Sequence, residues 1–330
     1  MKEKIKYDVV IVGAGPAGIN CAIEASKLGL KYILLEKGVL VNSIYNFPTN
    51  MTFFSTSKKL EIGDIPFISH TEKPTRREAL EYYRRLVYHY KLYVVYKQKV
   101  EQVEKKGDDH FLLTTSDTEY ETSNIVIATG FYDNPRKLDV PGADLPKVKH
   151  YYDDPHPYID MNILVLGGAN SACDVALETW AHGAKVTMAI RKPELYPRVK
   201  YWILPNIQNR IKEGSIQAHF NTAVTEITET TVTLATADGE LTLQNDFVLA
   251  MIGYKPDFSL LDQLGITYDD QVQRIPAFDP DICETTVPGV FVAGVLNGGL
   301  KTSSLFIENT RDHGEKIMDY IIRHRQGKEV

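Results

Sequence analysis

Residues 7–12 form an apolar run without polar alternation, the pattern of a strand buried on both faces. A glycine-rich turn follows, then a helical stretch over 16–28 and a second apolar strand over 31–35 that ends at Glu36. Strand, turn, helix and strand in that order predict a βαβ opening. Residues 39–67 are loop-rich and aromatic, 76–90 reads as a helix, and 92–127 as short strands with a turn at Lys106-Gly107-Asp108. A further apolar strand over 124–128 runs into Ala128-Thr129-Gly130. After a proline-bearing connector over 134–158 the opening pattern recurs: strand 163–166, glycine turn, helix 171–182, strand 185–190. Strands continue to Met251, with another over 290–293. A closing helix is predicted to carry Ile307, Gly314, Ile317 and Ile321 on one face at the 3.6-residue period. This recurrence predicts an α/β chain of two Rossmann-like dinucleotide-binding domains, each a three-layer ββα/βαβ unit.

Both recurring turns carry chemistry. Gly13-Ala14-Gly15-Pro16-Ala17-Gly18 is a full G-x-G-x-x-G between a strand and a helix. Gly13 permits the tight turn, Gly15 lets a pyrophosphate approach the backbone, and Gly18 lets helix and strand pack closely. The helix start adds unpaired N–H groups and a positive dipole end. Glu36 closes the next strand, where a carboxylate accepts hydrogen bonds from a ribose.

The second turn, Gly167-Gly168-Ala169-Asn170-Ser171-Ala172, resembles the G-x-G-x-x-A form with Ala169 in place of the middle glycine. Its following strand ends at Arg191-Lys192, with Arg198 shortly after and no acid where Glu36 stood. Cations there suit a ribose 2′-phosphate, which a carboxylate would repel, and so favour NADPH over NADH. The bland alternative is two surface cations at a strand end.

Composition narrows the field. At 330 residues two domains are expected, and 43% apolar residues suffice for their cores. No apolar run approaches the ~18 residues of a membrane helix. The amino terminus passes from lysines into a strand without a separate apolar region and cleavage site, so the cytoplasm is the expected compartment. A net charge of −6 without a long basic block argues against a nucleic-acid partner. Arg76, Arg77, Arg84 and Arg85 read as a solvated helix face. The three cysteines, Cys21, Cys173 and Cys283, include no Cys-x-x-Cys, which excludes a zinc ribbon, a disulfide framework and a redox dithiol. No metal set is assigned. Cys21 and Cys173 read as core residues, and Cys283 as an exposed loop residue.

Two dinucleotide folds with an Ala-Thr-Gly strand end between them look like the two-dinucleotide-binding-domain flavoproteins, with the thioredoxin reductase branch closest in length. Within it the chain closely resembles the bacillithiol disulfide reductase family (YpdA type). The strings that carry this are Ser43-Ile44-Tyr45-Asn46-Phe47-Pro48-Thr49, Thr52-Phe53-Phe54-Ser55-Thr56-Ser57 and Ile62-Gly63-Asp64-Ile65-Pro66-Phe67. Trp202-Ile203-Leu204-Pro205-Asn206, Ala250-Met251-Ile252-Gly253-Tyr254 and Phe306-Ile307-Glu308-Asn309 match too, so the resemblance spans nearly the whole chain.

The resemblance implies an FAD- and NADPH-using oxidoreductase, with residues 1–133 and 254–330 holding FAD and 158–250 holding NADPH. Residues 134–157 and 251–253 would connect them. FAD would meet Gly13, Gly15, Pro16, Ala17, Gly18, Glu36 and Lys37. Asn46 would join it from an aromatic loop beside the flavin ring, Thr129 and Gly130 from the strand end, and Gly294 and Val295 from the late turn. NADPH would meet Gly167, Gly168, Asn170, Ser171, Arg191, Lys192, Arg198 and Gly253. The nicotinamide passes hydride to the flavin, the cofactors carry the chemistry, and no side chain is assigned a catalytic role. By resemblance alone, a homodimer is compatible.

Two departures bear on the acceptor. The family carries a redox cysteine just before the last glycine of the first motif, where this chain has Ala17. The thioredoxin reductase dithiol would fall on His150-Tyr151-Tyr152-Asp153, which has no sulfur, and His150 lacks the rest of a monooxygenase signature and reads as a loop histidine. Val295 follows Gly294 where many relatives have an Asp, a residue this family also lacks. Electrons then leave the flavin directly, for a low-molecular-weight disulfide, a small redox protein, a quinone or oxygen. The alternatives are a dithiol-free ferredoxin or flavodoxin–NADP reductase, a flavin monooxygenase or NADPH oxidase, and a non-enzymatic NADPH-binding redox sensor. Against the ferredoxin type, the sequence ends at Val330 without an appended aromatic segment to stack on the flavin.

Overall fold

The computed structural model describes residues 6–326; the first lysines and the end at Val330, both weighed above, lie outside them. Along the chain run β1 (Lys6–Val12), α1 (Pro16–Lys27), β2 (Tyr32–Glu36), α2 (Asn42–Tyr45), α3 (Arg76–His89), β3 (Val94–Tyr96), β4 (Val100–Gly107), β5 (His110–Thr115) and β6 (Glu119–Ile127). Next come β7 (Val148–Lys149), β8 (Asn162–Leu166), α4 (Asn170–Ala181), β9 (Lys185–Ile190), α5 (Leu204–Lys212) and β10 (Gln217–Phe220). They are followed by β11 (Ala223–Ile227), β12 (Thr231–Thr236), β13 (Gly239–Gln244) and β14 (Phe247–Ala250). The chain closes with α6 (Ser259–Gln263), β15 (Tyr268–Asp270), β16 (Ile275–Pro276), β17 (Val290–Val292) and α7 (His313–Gln326).

The chain divides into two compact units. The first takes Met1–Tyr45, Met51–Asn134 and Tyr254–Val330, and the second takes Asn46–Asn50 and Pro135–Gly253. The segments read as connectors thus group, apart from Asn134, with the second unit. So does residue 46, which the sequence placed with the first fold. The Thr49 amide donates to the Asp153 carbonyl (2.8 Å), and Asn50 Nδ2 donates to Glu178 (2.8 Å).

In the first unit the sheet order is β3-β2-β1-β6-β5-β4, with β17 also on β6. The second half of β6 lies parallel between β1 and β17, while its first half pairs antiparallel with β5. One strand therefore serves both the parallel layer and the β4–β5 meander. Strand alternation sends Val10 and Val12 towards Phe111, Leu113 and Leu261, and Val9 and Ile11 to the opposite, equally buried face. α3 starts with a capping box in which the Thr75 side chain and Glu78 exchange bonds with each other's backbone.

In the second unit β10-β9-β8-β14-β7 is fully parallel. Cys173, Val175 and Ala176 of α4 pack on one face with Val165 and Met188, and Val232 and Leu234 of the β11–β12–β13 sheet pack on the other with Leu164 and Ala189. Among the described residues no helix is long and apolar enough to cross a membrane.

Two readings change. Ile307 lies in a separate 3-10 turn over Ile307–Asn309, and α7 begins only at His313, because the Thr310 hydroxyl and amide fold back onto Phe306 and Ile307. Gly314, Ile317 and Ile321 do lie on α7. Arg84 and Arg85 pair with Glu81 on the exposed face, but Arg76 turns inward: its guanidinium donates to the carbonyls of Ile44 (3.2 Å) and Tyr45 (2.5 Å).

α1 and α7 meet at a polar point inside the first unit. The Gly314 amide donates to Oδ1 of buried Asn20 at 3.0 Å, and a methyl on Gly314 would sit 2.1 Å from that oxygen. Replacing Gly314 with Ala is expected to cost about 1–3 kcal/mol, the usual range for overpacking. A lowered unfolding midpoint in urea is the expected outcome, and an unchanged one contradicts the contact.

Candidate functional site

The first site forms where β1, β2, β6 and β17 end. Parallel strands present these carboxyl ends on one edge, where open α/β sheets hold ligands. Gly13 has φ +105°, and a methyl there would lie 2.6 Å from the Ala128 carbonyl oxygen. Its amide donates to the Leu35 carbonyl, and the Ala128 amide to that of Val12, both at 2.8 Å. Three strand ends are thereby stitched side by side. A methyl on Gly18 would come within 1.9 Å of the Gly13 carbonyl oxygen, so α1 rises directly off the turn. Gly15 differs: it is the extended residue preceding Pro16, and no atom of the described residues lies within 4 Å of where its Cβ would point. α1 has neither a side-chain cap nor an acid in its first turn, which leaves its first amides to an anion.

Buried Glu36 accepts the amides of Ala14 and Gly38, each at 2.8 Å. Burial raises its pKa against the opposing pull of those two bonds. A carboxylate offers about four acceptor positions, so two remain for ribose hydroxyls. Thr129, next to the Gly13 turn, has a buried hydroxyl oxygen without a partner among the described residues, a group that a ligand would satisfy. Lys37 instead pairs with Asp133 at 3.1 Å. An open cradle, an acid and an orphaned hydroxyl together fit a dinucleotide. Gly130 follows Thr129. Asn46 is grouped with the second unit.

The late turn closes the same edge. The Ala293 amide donates to the Ile127 carbonyl (3.0 Å), and a methyl on Gly294 would lie 2.8 Å from the Ala17 methyl. Half-buried Val295 continues the turn. Its anchor escaped the sequence reading: the Gly294 amide donates to His313 Nδ1 at 3.1 Å, which requires the imidazole proton on Nε2. His313 precedes the Gly314 bonded to Asn20, so α7 grips both the turn and α1. A polar Asn20 between Ile19 and Cys21, in the apolar stretch of α1, was the available signal.

The second site repeats the design at the ends of β8, β9 and β14. Gly167 has φ +122°, and a methyl there would lie 2.7 Å from the Met251 carbonyl oxygen. Gly168 packs against Ile190, and exposed Ala169 and Ser171 flank the start of α4, which again lacks a side-chain cap and an acid in its first turn. Arg191, Lys192 and Arg198 are exposed on the loop leaving β9, and the Tyr196 amide ties that loop to the Gly168 carbonyl at 2.8 Å. Gly253 accepts the Arg136 amide at 3.0 Å just beyond β14. An uncapped helix start with three cations nearby in the chain fits a dinucleotide bearing an extra phosphate. A cavity of about 510 Å³ in this unit lies at the opposite strand ends, by Asn162 and Lys185, and is not part of this site.

All three cysteines are buried. Burial pushes the Cys21 thiol far up, Cys173 to about 12 and Cys283 to about 11. Cys283 was expected to be exposed. It is buried because its amide donates to the Asp279 carbonyl (2.6 Å) and its carbonyl accepts from Val292 of β17 (3.0 Å). Lys316 opposes that rise without cancelling it. None of the three is a thiolate near neutral pH.

A family model described as pyridine nucleotide-disulphide oxidoreductase matches residues 10–294. The bacilliredoxin reductase Bdr of Bacillus subtilis (strain 168) is 44% identical, over 95% of this chain and 97% of its own. The solved bacillithiol disulfide reductase Bdr (YpdA) from Bacillus cereus superposes with a TM-score of 0.94 at 43% identity, covering 97% of this chain and 100% of that one. Thioredoxin reductase from Lactococcus lactis gives a TM-score of 0.76 at 25% identity, covering 96% of this chain and 98% of that one.

His313 generates a pH test. Burial is the main cause that lowers its pKa, so the unfolded chain takes up this proton first as pH falls. Its contribution is full above about 6.5, the ordinary histidine value, and is lost as pH falls towards the lower folded value. His313→Asn keeps an acceptor near Nδ1 but does not titrate. Between about pH 7.5 and 5 the wild-type melting temperature is expected to fall more steeply than that of the variant. Parallel curves contradict the role given to this bond.

Proposed function

Because the chain belongs to the pyridine nucleotide-disulphide oxidoreductase family, we propose that its acceptor is a low-molecular-weight disulfide of the bacillithiol type or the small redox protein that carries it. The chain is an FAD-dependent, NADPH-using oxidoreductase of thioredoxin reductase-like architecture. The observation that carries the acceptor reading is its likeness, over almost all of both chains, to a bacillithiol disulfide reductase.

Bound FAD would supply hydride acceptance from NADPH and two-electron donation, for a net reaction in which NADPH, a proton and one disulfide yield NADP⁺ and two thiols. The residues would share that work as follows. Gly13, Gly15 and Gly18 leave room for the FAD pyrophosphate, with Pro16 and Ala17 opening the helix whose amides face it. Glu36 takes the ribose and Thr129 donates its unpaired hydroxyl, while Gly130, Gly294 and Val295 shape the far wall. Gly167, Gly168 and Ser171 receive the NADPH pyrophosphate, Gly253 borders it, and Arg191, Lys192 and Arg198 neutralise the 2′-phosphate. Lys37 acts through its pair with Asp133, and Asn46 as a hydrogen-bonding group from the 46–50 segment. The FAD domain would be the first unit and the NADPH domain the second, with a cytoplasmic setting and an open oligomeric state.

A second reading has specific support. With Ala17 at the glycine turn and every thiol buried and protonated, transfer to an electron-carrying protein needs no cysteine.

Two experiments test these readings. Replacing Cys21, Cys173 and Cys283 together with Ser or Ala is expected to leave NADPH-dependent reduction of bacillithiol disulfide within about threefold of wild type. Loss of turnover with FAD still bound would restore a thiol mechanism. Reduction of ferredoxin or flavodoxin but of no disulfide would select the second reading. Replacing Arg191 and Lys192 with Ala is expected to raise the KM for NADPH about tenfold or more while that for NADH changes little. Equal effects on both refute 2′-phosphate recognition there.

A further inference from the structure

Three bonds converge on residues 198–200 from one face of α4. Asn170, its first residue, accepts the Lys200 amide on Oδ1 at 2.8 Å and donates from Nδ2 to the Arg198 carbonyl at 3.3 Å. Asp174, four residues on and so on the same face, holds the Lys200 ammonium at 2.8 Å. The Lys200 side chain is only 10% exposed, and a lysine so placed is costly without its counter-charge. At its other end the same loop is tied to the glycine turn through Tyr196 and Gly168. The span so pinned carries Arg198, whose own guanidinium is left exposed. Asn170 spends both ends of its amide on the loop backbone, an arrangement that sets position.

We propose that Asn170 and Asp174 are positioning residues for nucleotide choice: they clamp the 198–200 loop so that Arg198 meets a ribose 2′-phosphate. This rests on reading Arg191, Lys192 and Arg198 as the 2′-phosphate group. A charge-assisted bond to phosphate depends steeply on geometry, so a slackened loop loses selectivity. The pyrophosphate, held at the turn by α4 amides, keeps its affinity.

The test uses the full-length, FAD-loaded, oxidised protein and calorimetric Kd values for NADP⁺ and NAD⁺. Asp174→Asn is expected to weaken NADP⁺ about tenfold, the worth of roughly one such bond, and to leave NAD⁺ within about twofold, and Asn170→Ala to weaken NADP⁺ at least as much. Retained FAD and an unchanged far-ultraviolet dichroism spectrum report that the chain is folded. NADP⁺ affinity unchanged in both variants, or equal weakening of both nucleotides, overturns the clamp. Arg198→Ala separates the two layers of the argument. If it fails to distinguish the nucleotides, the 2′-phosphate reading falls and the clamp with it. If it does distinguish them while the α4 variants do not, the clamp alone is wrong.

Discussion

The architecture depends on one constraint: a helix must leave the carboxyl end of a parallel strand so tightly that its first amides stay uncovered. Each unit meets it by wedging a glycine against a neighbouring strand end. Gly13 abuts the Ala128 carbonyl and Gly167 the Met251 carbonyl, both at positive φ. No side chain other than hydrogen fits there. Neither α1 nor α4 has a side-chain cap or an acid in its first turn to offset the uncovered amides and the helix dipole.

From that shared geometry the two turns diverge by a few residues. Gly15 leaves open space at the start of α1, whereas its counterpart Ala169 adds an exposed methyl. The strand after the first turn ends in a buried acid anchored by two amides, and the strand after the second in cations on a loop that α4 holds. In the proposed function the acid takes an unmodified ribose and the cations a phosphorylated one. The fold supplies the grip, and the strand end supplies the choice.

Local sequence spoke clearly where it had to satisfy backbone geometry. The glycine spacing, the apolar strands and the recurrence at residue 163 each reflect constraints within a few residues, and they located both turns. It spoke poorly where a distant element decides the outcome. Ile307 shares the helical period with Ile317, yet the Thr310 bonds interrupt the helix between them. Cys283 looks like a loop residue and is one, but that loop lies against β17 and seals it. Asn46 sits among first-unit residues in sequence, whereas the carbonyl of Asp153 draws its segment to the second unit. Asn20 meets Gly314 across nearly the whole chain and His313 meets Gly294 across 19 residues, so no short motif marks either pair.

The buried thiols give the account its mechanistic edge, since none of the three is exposed to meet a disulfide. The most direct measurement is anaerobic rapid mixing of the purified yellow protein with NADPH, followed by a small disulfide. The account requires the flavin absorbance to bleach on the first addition and to return on the second, without a lasting thiolate-to-flavin band. A protein that holds no flavin, or a bound flavin that NADPH leaves oxidised, would contradict it.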